Sequence, residues 1–290
     1  MATRRSPTAR HRRLIVELRR LREERGLSRE QVAERIGTSE TSVFRYEKGE
    51  TRPQPAVVAS MLDVYGAAAG ERDELLEMAR DARKRGWWHR HRQTLKPGFD
   101  SYIGLEAAAS VVRTYEAQAV PGLLQAEGYA RALIESISMN AVPAEIDEKV
   151  SVRISRQDLV TRSTDPIQII AILDEAVLRR QVGDPGIMTE QIRHLITMAA
   201  LPNVVIHVLP FSAGAHAAMD GPFCLLSFPE PDDPDLVYLE LASSGLVPEE
   251  PKEVRRYTLM FGTLLGKALP AEESVTFMTQ IAEQANGDTA

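Results

Sequence analysis

Apolar residues recur at helical spacing over the first third of the chain. Leu14, Leu18 and Leu21 fall on one face of residues 10–25, with arginine and glutamate around the rest, and Gly26 is placed to end that helix. Ser28 with Gln31 three residues on reads as a capping box that opens a second helix carrying Val32, Ala33 and Ile36 inward. Gly37 stops it, and Thr38 or Ser39 caps a third helix, Glu40 to Lys48, with Val43 and Tyr46 inward. A fourth helix begins near Pro55, and residues 71–84 give a charged amphipathic fifth. The pattern then changes. Helices are expected over Gly104–Tyr115, Gln125–Ser136, residues 144–161, Asp174–Gln181 and Thr189–Ala200. Strands are expected at Ile167–Leu173, Val204–Leu209, Phe223–Phe228 and Leu236–Leu241, the last two parted by the acidic, proline-rich turn Pro229–Pro234. Two helices, about 251–267 and 271–284, close the chain. The expected fold is α+β: an all-α five-helix domain over residues 1–80, a connector over 81–100, and an α+β domain over 101–290 with about four strands and flanking helices.

Charge sharpens this division. The chain carries a net −6, but residues 1–100 hold 22 Lys and Arg against 15 Asp and Glu, while residues 101–290 hold 13 against 26. A basic front favours a polyanionic partner, and an acidic back does not. The balance of 43 % hydrophobic to 26 % charged residues is that of a globular chain. One cysteine, Cys224, excludes an internal disulfide framework and suits a reducing cytosol. The longest apolar run, Ile169–Leu173, is far short of a membrane span, and no apolar segment follows the arginine-rich start as a secretory signal would require. A cytoplasmic protein is expected.

Two short helices joined by Gly37-Thr38-Ser39 form a helix-turn-helix. Ala33 is small where the third helix crosses, and Gly37 sits where the chain turns sharply, with positive φ expected. The stretch Leu27-Ser28-x-Glu30-x-Val32-Ala33-x-x-Ile36-Gly37-x-Ser39-x-x-x-Val43-x-x-Tyr46-Glu47-x-Gly49-x-x-x-Pro53 resembles the phage-repressor-like (XRE/Cro) regulators. That resemblance implies that the third helix enters the major groove of double-stranded DNA with Glu40 and Thr41 at base edges and Arg45 one turn on. The chemistry suits these roles. Arg45 can pair bidentately with guanine, Glu40 can accept from cytosine, and Thr41 can serve either base type or touch a thymine methyl. Ser39, Ser42 and the amides of the helix start suit phosphate, as do Arg29, Arg52 and an arm over Arg4–Arg13. For Arg45 a solvated side chain, and for Glu40 an ordinary helix-dipole partner, are the alternatives. Glu47 reads as a structural residue bonding near its own helix end, and Phe44 points away from Val43 and Tyr46, where either a thymine methyl or a subunit neighbour could meet it. In Arg83–Arg92, basic residues interleave with Trp87 and Trp88, which fits either nucleic-acid contact or a docked linker.

The back half resembles a second group. Val120-Pro121-Gly122-Leu123-Leu124-Gln125, Tyr129-Ala130-Arg131, Arg153-x-x-Arg156-Gln157, Asp174-Glu175-Ala176-x-Leu178-Arg179, Val208-Leu209-Pro210-Phe211, Gly221-Pro222-Phe223 and Val237-Tyr238-x-Glu240 are similar to the actinobacterial XRE regulators with an antitoxin-like C-terminal domain. That resemblance implies a transcriptional regulator encoded beside a small partner protein. His207, His216, Asp220 and Cys224 hint at a metal or Cys/His site, but no metal-ligand spacing or nucleophile motif accompanies them. No cofactor, metal or catalytic residue is expected. The expectation is a dimeric, sequence-specific DNA-binding regulator whose back domain holds a small protein. A ligand-responsive repressor is the alternative, and an enzyme with a DNA-targeting head is the more distant one.

Overall fold

The computed structural model describes residues 6–140, 142–230, 233–248 and 250–287. Two compact units divide between His89 and Arg90.

The first unit is helical: α1 (Pro7–Glu24), α2 (Arg29–Ile36), α3 (Glu40–Glu47), α4 (Pro55–Tyr65) and α5 (Ala69–Asp81). Helix α1 begins earlier than its apolar pattern because Ser6 caps it and Pro7 starts it. Arg10 and Arg13 of the expected arm therefore sit on α1, beside Asp81 and Glu74 of α5, while Arg4 and Arg5 lie outside the described residues. The capping box forms: the Ser28 hydroxyl accepts from Gln31 N, and Ser28 N donates to Gln31 Oε1. Leu14, Leu18 and Leu21 pack with Val32, Ala33, Val43, Val58, Met61, Leu62, Tyr65 and Leu75 in one core. Each buried aliphatic side chain contributes about 1.5–3 kcal/mol relative to exposure. Beyond α5 the residues Trp87–His91 form a short 3-10 turn in which Trp88 is buried, Trp87 is exposed, and the rings meet edge to face.

The second unit holds α6 (Phe99–Ala108), β1 (Val111–Glu116), α7 (Glu127–Ile137), α8 (Pro143–Thr161), β2 (Gln168–Asp174), α9 (Glu175–Arg179), α10 (Pro185–Ala199), β3 (Val204–Leu209), β4 (Phe223–Ser227), β5 (Leu236–Glu240), β6 (Gly245–Leu246), α11 (Pro251–Leu265) and α12 (Ala271–Gly287). The strands form one sheet in the order β3-β2-β1-β4-β5-β6. Strands β1, β2 and β3 are parallel, and β4, β5 and β6 add antiparallel on the other side of β1.

The α+β class holds, but the sheet has six strands rather than about four. The helix expected to run to Tyr115 ends at Ala108, and Val111–Glu116 is a central strand. β-Branched and aromatic residues pack well on a pleated surface, and here both faces of that surface are covered. Val112 meets one hydrophobic cluster with residues of α10 and α12, while Tyr115 meets another with Phe261 and Leu264 of α11. The acidic turn Pro229–Pro234 falls partly outside the described residues, which omit 231 and 232.

Candidate nucleic-acid interface

Helices α2 and α3 are set by their ends. Gly37 caps α2 at φ 71°, ψ 39°, the left-handed conformation that an L side chain resists. Ser39 then caps α3, accepting from Ser42 N at 3.2 Å, and the two hydroxyls lie 2.8 Å apart. Val43 and Glu47 face the interior. Glu40, Thr41, Phe44, Arg45 and Lys48 form the exposed stripe of α3. The Arg45 side chain is 55 % exposed, with Glu50 at 3.6 Å as its one charge partner among the described residues, so its guanidinium projects outward.

Glu47 is the residue whose role differs most from expectation. It is buried, and its partners lie on other helices rather than at its own helix end. Its carboxylate accepts from Arg22 of α1 at 2.5 and 3.1 Å and from Arg29 of α2 at 2.7 Å. Its backbone carbonyl accepts from Arg19 at 2.5 Å. Burial pushes the carboxyl up, but the bonds from Arg22 and Arg29 outweigh it and hold the group below the usual range. One carboxylate thus ties three helices.

Phe44 gains a role here. Its ring lies 5.3 Å from the Arg29 guanidinium and 5.9 Å from the Lys48 ammonium. Arg29 is therefore held between Glu47 and an aromatic face, with a third of its side chain still exposed. Arg52 donates from Nη1 to the Ala82 carbonyl at 2.8 Å, which ties the segment after α3 to the end of α5. It also stands near buried His11, whose pKa falls to about 4 through desolvation and then the Arg52 charge. Of the seven residues expected to meet DNA, Ser39, Glu40, Thr41, Ser42 and Arg45 share the start and outer face of α3. Arg29 and Arg52 stand on its flanks with structural bonds of their own.

In the second unit the polar residues of the Arg156-Gln157 and Asp174-Glu175 motifs are bonded within the domain. Arg156 grips Glu106 with Nε and Nη2 at 2.8 and 2.7 Å, both side chains buried. Gln157 donates to the carbonyls of Gly122 and Gln125. Asp174 caps α9, and Glu175 bridges Arg179 and the Phe211 amide. Cys224 is buried beneath the Tyr102 hydroxyl, and burial raises its thiol well above the ordinary range. Among the described residues no group of three or more His, Cys, Asp or Glu is placed to hold a metal, and no helix is long and apolar enough to cross a membrane.

Comparison with known families bears on both units. Residues 99–280, well over half of the chain, match a family model described as a domain of unknown function, DUF5753. The chain belongs to the DUF5753 family. Residues 13–75 match a helix-turn-helix domain model, which spans α2 and α3 and supports a DNA-binding regulator rather than an enzyme. No curated protein and no solved structure matches the chain. In this DUF5753 protein, then, the unit matched to a helix-turn-helix domain is the helical one, and α3 presents an exposed face within it.

Proposed function

We propose that this DUF5753 protein is a sequence-specific transcriptional regulator of the XRE type that binds double-stranded DNA as a homodimer. The observation that carries the reading is the outer face of α3. Glu40, Thr41 and Arg45 share it, fixed in aim by the Gly37 turn and by the buried Glu47 node. A helix presented so firmly suits the major groove, where its first residues reach base edges. Arg45 reads guanine, Glu40 and Thr41 read neighbouring bases, and Ser39 and Ser42 with the first amides of α3 hold phosphate. Arg29 and Arg52 add phosphate contacts from the flanks. Dimerisation joins two half-sites and multiplies a weak single contact. The acidic second unit takes an antitoxin-like role, holding a small protein encoded nearby in the cytoplasm. Charge supports a basic or neutral partner over DNA for this unit.

Titration of the full-length protein onto genomic duplexes at several salt concentrations tests this. The logarithm of the affinity should fall linearly with that of salt, by about 0.9 per phosphate contact. Equal binding to all duplexes would contradict sequence-specific readout. Co-expression with the neighbouring gene product should shift operator affinity, since coupling between two sites is reciprocal. An unchanged operator affinity would remove the partner role.

A further inference from the structure

Several arginines of the first unit are spent on its own carboxylates. Arg20 and Arg22 of α1 pair with Glu71 and Glu47. Arg83 and Arg85, just past the end of α5, differ. Both are exposed, and neither side chain has an ion pair or hydrogen bond among the described residues. The acid at this corner is already taken. Asp81 meets Lys84 at 2.7 Å and Arg10 at 4.0 Å. A net positive edge remains, with two guanidinium groups open to an anion.

The edge is built rather than loose. Arg83 N donates to the Arg80 carbonyl and Lys84 N to that of Asp81, which carries the helical turning past α5. His89 N donates to the Gly86 carbonyl in the 3-10 turn where Trp88 is buried. Gly86 lies against the Trp88 ring, and a Cβ there would overlap it. The two arginines are thus held between a helix end and an anchored tryptophan. A segment ordered in advance loses less freedom when it meets its partner.

The edge also adjoins the segment that follows α3. Arg52 Nη1 donates to the carbonyl of Ala82, the residue just before the run, at 2.8 Å. Consecutive Cα atoms stand about 3.8 Å apart, so Arg83 and Arg85 begin within about 12 Å of that bond. Each strand of duplex DNA carries a phosphate per about 3.4 Å of axis, so an edge of this length faces about three of them.

We propose that Arg83 and Arg85 form a phosphate-binding ledge for duplex DNA, continuous with Arg52 and lying outside the half-site read by α3. The ledge holds the backbone and reads no bases, so it sets the length of duplex the protein needs rather than the sequence it selects. This rests on the reading that α3 enters the major groove. Two features favour duplex DNA as the occupant: the unpaired positive charge of the edge, and its continuity with a flanking residue of that interface.

The test uses the full-length protein on two duplexes, one ending at the selected motif and one extended by a helical turn at each end. Wild type should bind the extended duplex more tightly. Arg83→Gln with Arg85→Gln should bind both equally, lower the salt slope on the extended duplex by about 1.8 per subunit, and select the same motif. Arg83→Lys with Arg85→Lys keeps both charges and should keep the slope and the length dependence. Urea midpoints should match in all three proteins, since neither arginine bonds within its unit. A glutamine variant with the wild-type slope and length dependence would overturn the ledge and leave α3 untouched, and so would a lysine variant that behaves like the glutamine one. Failure of the α3 reading looks different: Arg45→Ala would select the wild-type motif with wild-type affinity, and the ledge would fall with it.

Discussion

A single carboxylate at Glu47 serves three helices, and its neutral replacement would leave Arg22 buried without its charge partner. Glu47→Gln should therefore destabilise the first unit by about 3–5 kcal/mol in urea unfolding. Because the folded pKa is depressed, this stabilisation is present above the unfolded value of 4.5 and is lost as pH falls through the folded one. His11 acts over a neighbouring window. Its pKa is 6.5 when unfolded and about 4 when folded, so the unfolded chain binds more protons between those values. Stability should fall by about 3 kcal/mol as pH drops from 7 to 4, and His11→Gln should remove most of that slope. An unchanged slope in the variant would assign the loss elsewhere. The structural role of Glu47 was readable but its partners were not, and nothing in the spacing marked His11. The partners of the Glu47 carboxylate lie 18 to 25 residues away, and local spacing carries no record of so distant a bond. The outward placement of Arg45 was readable, because helical periodicity alone sets it opposite Val43 and Glu47.

Helix ends were the most legible elements. Ser28, Gln31, Gly37 and Ser39 act within four residues of themselves, so their bonds follow from spacing. Gly37→Ala meets no atom within 4 Å, so its cost is backbone strain alone, about 1–2 kcal/mol. Ser28→Ala should cost about 1 kcal/mol by the loss of the cap. Thermal unfolding of both variants checks these values, and a neutral Gly37→Ala would mean that α2 ends differently. Strand β1 was the least legible element. No glycine or proline separates it from α6, and Ala107–Ala109 prolongs the helical signal up to Ser110. Its identity comes from pairing with β2 and β4, which lie far away in sequence. Strand β6 has two residues, too few for any period to register.

At the scale of the molecule, charge and pattern both change from a helical front to a mixed back, and two compact units divide between His89 and Arg90. The polar bonds of the back domain were not legible, because partners such as Arg156 and Glu106 lie 50 residues apart in the chain. The charge split carries its own prediction. Only the basic front should engage DNA, since an acidic surface repels phosphate within a Debye length of about 8 Å at physiological salt. Sedimentation of the full-length protein at micromolar concentration should give a dimer, and a monomer would remove paired half-site binding from the account.

The central claim is that α3 reads bases through Arg45. Its most direct test is selection of binding sites from a randomised duplex pool, run in parallel with the wild type and with Arg45→Ala. The wild type should enrich a two-fold symmetric motif. The variant should bind that motif more weakly by about 1–3 kcal/mol and lose its preference at one G·C pair in each half-site, with the remaining positions unchanged. The same motif enriched equally by both proteins, with equal affinity, would contradict the placement of α3 in the major groove.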